Sequence, residues 1–332
     1  MEIPKEIIND ARYLDIGDLP TGYAPYKELG LKQIYLRPFV VKELPLIHLG
    51  SKAKVGGLSS ILRAVNMVAS CDIYCLTDGD FEFLLAWLRR NSYPTSPMLV
   101  SWVCKKTNVV EKETRKFILE QEAKYLTETD MRIRNYEYER CDAENITIVH
   151  NAKVLVDTLD DDCLYIKYDD IDFARVNTLV EYDTLIESDP SISKVADLAR
   201  WVKAGNTLAE KIEILESSDI DLYERIVETQ NMFKHGIRES MSMQCRVCRN
   251  KVEHTSKPNL RSFFADNTET DIYNIQYGLM SEFGVAPDDD MPIKKLLYHH
   301  SCLAKDKQDE KERNAQQEAA NKARRPTYNH NR

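Results

Sequence analysis

The sequence predicts a mainly helical protein of the α+β kind: bundle-like helical modules, a small β-rich insert and a C-terminal helical domain. Three observations predict it. Apolar residues recur at helical spacing, as in Leu58, Ile61, Leu62, Val65 and Val68. Only 11 glycines and 12 prolines interrupt 332 residues, which argues against a loop-rich sandwich. β-branched and aromatic residues concentrate instead between positions 146 and 182.

Composition bounds the answer further. A chain of this length can bury a sizeable core and is expected to divide into two or three domains. Hydrophobic content of 43% and charged content of 30% are globular values. The net charge of -9 argues against sequence-independent nucleic-acid binding, which draws on clustered Lys and Arg. The start, Met-Glu-Ile-Pro-Lys-Glu, is charged with no apolar run behind it, unlike a signal peptide. No apolar run approaches the ~20 residues that span a bilayer. A cytoplasmic protein with eight reduced or metal-bound cysteines is the expectation.

Residues 1–33 place Tyr13, Tyr23 and Tyr26 among prolines and glycines. They read as an irregular aromatic arm, docked on its own core or on a neighbouring protein. Residues 34–105 read as a helical core module. A short extended run at 34–37 is stopped by Pro38, and a helix over about 59–70 follows. A second helix starts at a Thr77 or Asp78 cap, carries Phe81, Leu84, Leu85 and Leu88 on one side, and stops before Pro94.

Residues 106–140 form a charged connector, helical in expectation, whose apolar anchors are Phe117, Ile118, Leu119, Tyr125 and Leu126. The β-rich insert, 141–188, reads as strands over 146–149, 153–156, 163–168 and 173–180. Its aspartates, Asp160–Asp162, Asp169, Asp170 and Asp172, lack the glycine and distal glutamate of a calcium loop and suit a solvated acidic rim.

Residues 189–304 return to helix. One run carries Val195, Leu198, Ala199 and Val202 and ends at Gly205; others cover 208–215 and 220–233. Ile272, Ile275, Leu279 and Phe283 stripe a further helix. Asp290 suits the cap of a last one, with Leu296, Leu297 and Cys302 on one side. The charged tail, 305–332, holds eight Lys or Arg against five Asp or Glu and reads as disordered, or at most a solvated helix.

One spacing carries metal chemistry. Cys245-Arg-Val-Cys248 can offer two thiolates to one tetrahedral zinc from a tight knuckle. Downstream, His299 and Cys302 lie three apart and would share a helical face. The expected structural zinc site is therefore Cys245, Cys248, His299 and Cys302, with His254 and His300 as alternatives to His299. Buried free thiols are the competing reading, and no glutamate is placed as the base of a catalytic zinc. The turn also lacks the glycine that often follows such a knuckle. Cys71, Cys75 and Cys163 sit among apolar neighbours and read as small core residues.

The order Leu36-Arg37-Pro38, Val41-Lys42-Glu43, a helix ending near Cys71, then Leu76, Thr77, Asp80, Leu84, Leu85, Leu88, Arg89, Ser92 and Cys104, resembles the baseplate hub assembly family of T-even and related contractile-tailed bacteriophages. It covers roughly the first third of the chain. Two departures stand out: Lys105-Lys106-Thr107 replaces the second cysteine that the family often shows behind Cys104, and Pro45 falls where a continuous helix is expected. The resemblance implies a non-enzymatic structural or assembly protein of a contractile tail. It would act at the virion baseplate, or in the host cytoplasm during assembly.

Its partners would be other tail and baseplate hub proteins, with no membrane, no small-molecule substrate and no nucleic acid. Tyr35, Phe39, Trp87 and Arg89 are the expected interface residues, since buried aromatics and arginines dominate such contacts. A tail (tape-measure) assembly chaperone is the near alternative. A zinc-dependent nucleic-acid-binding regulator is the alternative from another class. No phosphate loop, nucleophile elbow or His-Glu-x-x-His helix supports an enzyme.

Overall fold

The computed structural model describes residues 7, 9–52, 57–94, 98–104, 107–111, 136–141, 144–149, 156–159, 166–238, 240–255, 264, 271–284 and 286–323. They are mainly helical with short strands. The chain divides into two compact units: residues 1–96, 154–237 and 259–332 form the first, and 97–153 with 238–258 form the second.

In the first unit, β1 (Leu14–Asp15) pairs antiparallel with β2 (Tyr35–Leu36). Helix α1 (Leu44–Lys52) follows, with Pro45 in its first turn, where a missing amide hydrogen costs nothing. The expected interruption is therefore a helix start. Helix α2 (Gly57–Val68) buries the predicted face of Leu58, Ile61, Leu62, Val65 and Val68. Helix α3 (Asp78–Ser92) is capped by Thr77, whose hydroxyl accepts from the Asp80 amide, and it buries Phe81, Leu84, Leu85 and Leu88.

The aromatic arm docks on this core. Thr21 and Tyr26 are buried, and both donate to the Asp80 carboxylate, at 2.5 and 2.6 Å from their hydroxyls. The Thr21 amide donates to the other Asp80 oxygen at 3.1 Å, and the Thr77 amide donates to the Tyr26 hydroxyl at 2.8 Å. Burial, with Asp80 beside it, holds the Tyr26 phenol protonated well above its ordinary range.

The same unit buries an ion pair. Arg37 grips Glu43 through two hydrogen bonds of 2.9 and 3.1 Å, and Glu43 also accepts from the Val40 amide. The Phe39 amide donates to Ser92 Oγ at 2.9 Å, which ties the start of the module to the end of α3. Phe39 itself is buried against Phe264, and Arg89 is only 2% exposed. Phe39 and Arg89, expected at an interface, are thus buried inside the unit, Arg89 on the inward face of α3. Tyr35 and Trp87 are half-buried.

Downstream, the predicted strand over 173–180 is a helical entry. A 3-10 turn at Val176–Thr178 leads into α4 (Leu179–Ser188), because Val176 and Leu179 bury along a helical stripe rather than alternating. The short helices α5 (Ser193–Ala199), α6 (Leu208–Ser217) and α7 (Ile220–Met232) match the predicted bundle. They share a core of Ala196, Leu198, Ala199, Leu208, Leu215, Leu222 and Ile226. Arg225 pairs with Asp170, and Arg175 with Asp172, so these acidic side chains have basic partners.

β8 (Gly236–Ile237), joined to β7 (Val156–Asp157), crosses the first turn of α3. Gly79 and Gly236 allow the crossing: a Cβ on either would overlap the other segment's backbone.

Helices α8 (Asp271–Phe283) and α9 (Ile293–Ala323) close the unit. Asp290 does not cap α9; it pairs with Lys42 at 2.6 Å. Ile293 and Leu296 are buried and Cys302 is exposed, so Cys302 does not share their side. Residues 305–323, expected to be disordered or a solvated helix, continue α9, and 305–319 are exposed. Positions 112–135, with the charged connector's anchors, lie outside the described residues, as do Asp160–Asp162, Cys163 and the segments 151–155 and 324–332. No described helix is long and apolar enough to cross a membrane.

In the second unit the strands fall mostly outside the predicted insert. β3 (Met98–Val103) pairs with β6 (Glu144–Val149), and β4 (Thr107–Glu111) with β5 (Tyr136–Arg140). β9 (Ser240–Gln244) and β10 (Lys251–Thr255) form a separate hairpin. All three ladders are antiparallel. Residues 107–111 and 136–140, read as connector, are therefore strand.

Glu43→Ala should destabilise the first unit by about 3–5 kcal/mol, because it leaves the Arg37 charge buried and unpaired. Urea unfolding followed by helical circular dichroism measures it, and a loss below about 1 kcal/mol would mean that Arg37 regains water. Burial also pushes the Cys71 thiol up to about 12. Only on the order of one in ten thousand of these thiols is then ionised at pH 8, so a thiol-disulfide reagent should label the exposed Cys302 and leave Cys71 intact until the chain unfolds.

Candidate metal centre

The candidate site lies wholly within the second unit. β3 and β6 pair up to Val103 and Glu144; β4 and β5 resume the ladder at Thr107 and Arg140. Cys104 and Cys141 occupy the interruption, one on each strand. Trp102 is buried, Val103 is exposed and Cys104 is buried, so strand alternation turns Cys104 to the same side as Trp102.

The other pair comes from the turn of the β9–β10 hairpin. The Arg249 amide donates to the Cys245 carbonyl at 3.0 Å, and the Cys245 amide donates to the Asn250 carbonyl at 2.9 Å. These bonds curl the knuckle so that Cys245 and Cys248 converge. Arg249 carries a left-handed backbone, φ 55°, at the position where glycine often follows such a turn.

Four thiols meet as a result. Cys104 Sγ lies 3.6 Å from Cys248 Sγ, and Cys141 Sγ lies 3.8 Å from Cys245 Sγ. All four sulfurs lie within 4.8 Å of one another. These spacings far exceed the ~2.05 Å of a disulfide bond. Trp102 and Met243 pack around Cys104 and Cys245, which are buried, while Cys141 and Cys248 are half-buried.

The chemistry of the set follows from its density. Four thiolates at these distances would repel one another strongly unless a cation lay between them. A dication would neutralise half of the negative charge and displace the protons. Cys104, Cys141, Cys245 and Cys248 could therefore hold one metal ion.

Two of the four expected ligands lie in this cluster and two do not. Cys245 and Cys248 belong to the cluster. His299 and Cys302 do not: they lie exposed on α9 in the first unit, where Cys302 hydrogen-bonds Tyr298. Their helical spacing does place them near one face, but it is a solvent face. His300 lies on the same helix, and His254 lies in β10 with its backbone opposite Met241.

Cys104 and Cys141 were missed as ligands because no short spacing joins them. One signal was present: Cys141 sits in Glu-Arg-Cys-Asp-Ala-Glu, charged surroundings that do not suit a small core residue.

The two ligand sets separate by experiment. Cys104→Ser or Cys141→Ser should lower metal retention by at least about 100-fold, more than the loss of a supporting outer partner. His299→Ala and Cys302→Ser should leave the metal content of the purified protein unchanged. Atomic emission on dialysed protein reads both. Comparison with family models, with curated proteins and with solved structures returned no match, so the site stands on its geometry.

Proposed function

We propose that the chain is a non-enzymatic structural or assembly protein of a contractile phage tail, acting at the baseplate hub through protein interfaces. One observation carries the reading. The residues behind the resemblance make buried contacts within the first unit: Arg37 with Glu43, Thr77 with Asp80 at the start of α3, and Ser92 at its end with the backbone of Phe39. Leu84, Leu85 and Leu88 fill the core beside them. A motif made of folding contacts suits a family defined by its scaffold and gives no support to a catalytic one. Tyr35 and Trp87, half-buried, keep a place among the candidate contact residues.

The metal in this reading is a structural zinc. A tetrahedron of thiolates at the Zn–S distance of about 2.3 Å has edges of about 3.8 Å, close to the 3.6 and 3.8 Å observed. Soft thiolates select zinc over hard cations. Four protein ligands leave no open position for substrate or water, which fits a structural role. The residues bring two hairpins to one point, and the zinc would cross-link them. A tape-measure chaperone remains the near alternative, differing in whether the protein stays in the particle.

Affinity purification of the tagged chain from infected cells tests the reading. Recovery of hub and tail-tube proteins is expected, with no nucleic acid retained at moderate salt. Recovery of nucleic acid or transcription proteins alone would overturn it in favour of the zinc-dependent regulator. The protein list of purified virions then separates component from chaperone.

A further inference from the structure

The four sulfurs also decide what oxidation would do to the second unit. Cys104 and Cys141 lie at the interruption between the β3–β6 and β4–β5 ladders, and Cys245 and Cys248 lie in the turn of the β9–β10 hairpin. Four cysteines can pair in three ways. Joining Cys104 to Cys141 and Cys245 to Cys248 would leave the ladders and the hairpin unconnected by sulfur. Either other pairing would tie them together twice.

The geometry favours the tie. The 3.6 Å contact joins Cys104 to Cys248 and the 3.8 Å contact joins Cys141 to Cys245, so both run from ladder to hairpin. Each also sets a buried sulfur beside a half-buried one. Cys104 and Cys245 are buried among Trp102 and Met243, whereas Cys141 and Cys248 are half-buried. A small oxidant therefore reaches Cys141 and Cys248 first, and each has a partner sulfur in contact with it. Redox-active cysteines show this arrangement, an accessible sulfur poised next to a resolving one.

We propose that the cluster is a redox-exchangeable staple. Zinc links the ladders to the hairpin under reducing conditions, and the disulfides Cys104–Cys248 and Cys141–Cys245 link them once a peroxide acts. The inference rests on the zinc reading of this site and not on the tail reading. In each pair the half-buried thiolate attacks one peroxide oxygen; the O–O bond breaks, hydroxide leaves and a sulfenic acid forms. The buried partner thiolate then attacks that sulfur; the S–S bond forms, the S–O bond breaks and a second hydroxide leaves. Each pair thus gives two electrons to one peroxide. Zinc keeps its oxidation state and departs as the dication, because a disulfide sulfur is no longer an anionic ligand. The two states differ in metal content and share their connectivity.

The test uses the full chain, purified with zinc and reductant and then freed of the excess of both. Hydrogen peroxide is added beside a colorimetric zinc chelator, remaining thiols are blocked, and disulfides are mapped by mass spectrometry of unreduced peptides. Release of about one zinc per chain is expected, together with Cys104–Cys248 and Cys141–Cys245. Deuterium exchange should find the amides of β9 and β10 equally protected in the zinc-loaded and the oxidised chain. In a reduced chain stripped of metal they should exchange at least about tenfold faster.

Metal content read before the peroxide separates the two readings. A reduced chain that binds no zinc would overturn the zinc reading and the exchange together. With zinc bound, any other disulfide pairing, sulfinic acids in place of disulfides, or zinc retained beside four intact thiols would overturn the staple and leave the zinc reading standing. So would an oxidised hairpin that exchanges as fast as the stripped one.

Discussion

The helical unit depends on the Asp80 carboxylate, which is buried yet fully engaged. An isolated buried carboxylate would cost several kcal/mol. Here it accepts hydrogen bonds from the amide and hydroxyl of Thr21 and from the Tyr26 hydroxyl, at the first turn of α3 where the helix dipole also favours negative charge. Thr77 couples the same turn outward, from its amide to Tyr26 and from its hydroxyl to His235 at 2.8 Å. The arm, the α3 cap and the segment before β8 are thereby specified by one polar cluster. A hydrophobic core alone would fix their proximity but not their register.

The second unit solves a different problem. Its strands are short, its ladders are two-stranded, and isolated two-stranded ribbons are at best marginally stable in water. Four thiols drawn from the interruption in one ribbon and the turn of another offer the missing cross-link. The four cysteines are far apart in sequence, at positions 104, 141, 245 and 248, so a metal held by them would close long stretches of chain. The first unit is packed around buried side chains, whereas in the second four cysteines that could hold a metal lie together.

This division bears on function. The residues behind the phage resemblance are spent on internal contacts, which accounts for the inward placement of Phe39 and Arg89. Tyr35 and Trp87, by contrast, are half-buried.

The sequence alone determined much of the helical unit. The periodicity of Leu58 to Val68, the Thr77 cap and the stripe from Phe81 to Leu88 are local patterns, and local hydrogen bonds and a single buried face suffice to realise them. Cys245 and Cys248 were legible for the same reason, since two residues of separation already define a knuckle. What only the tertiary structure decided is non-local. Cys104 and Cys141 become neighbours of that knuckle through side-chain packing between separate two-stranded ladders, at separations of 144 and 104 positions, and no periodicity encodes such a meeting. The strand over 173–180 was misread because β-branched residues fit a strand or a buried helical entry equally well, and packing chose the second. Exposure followed the same rule: helical spacing set His299 beside Cys302, but only the packing of α9 decided that they would face water.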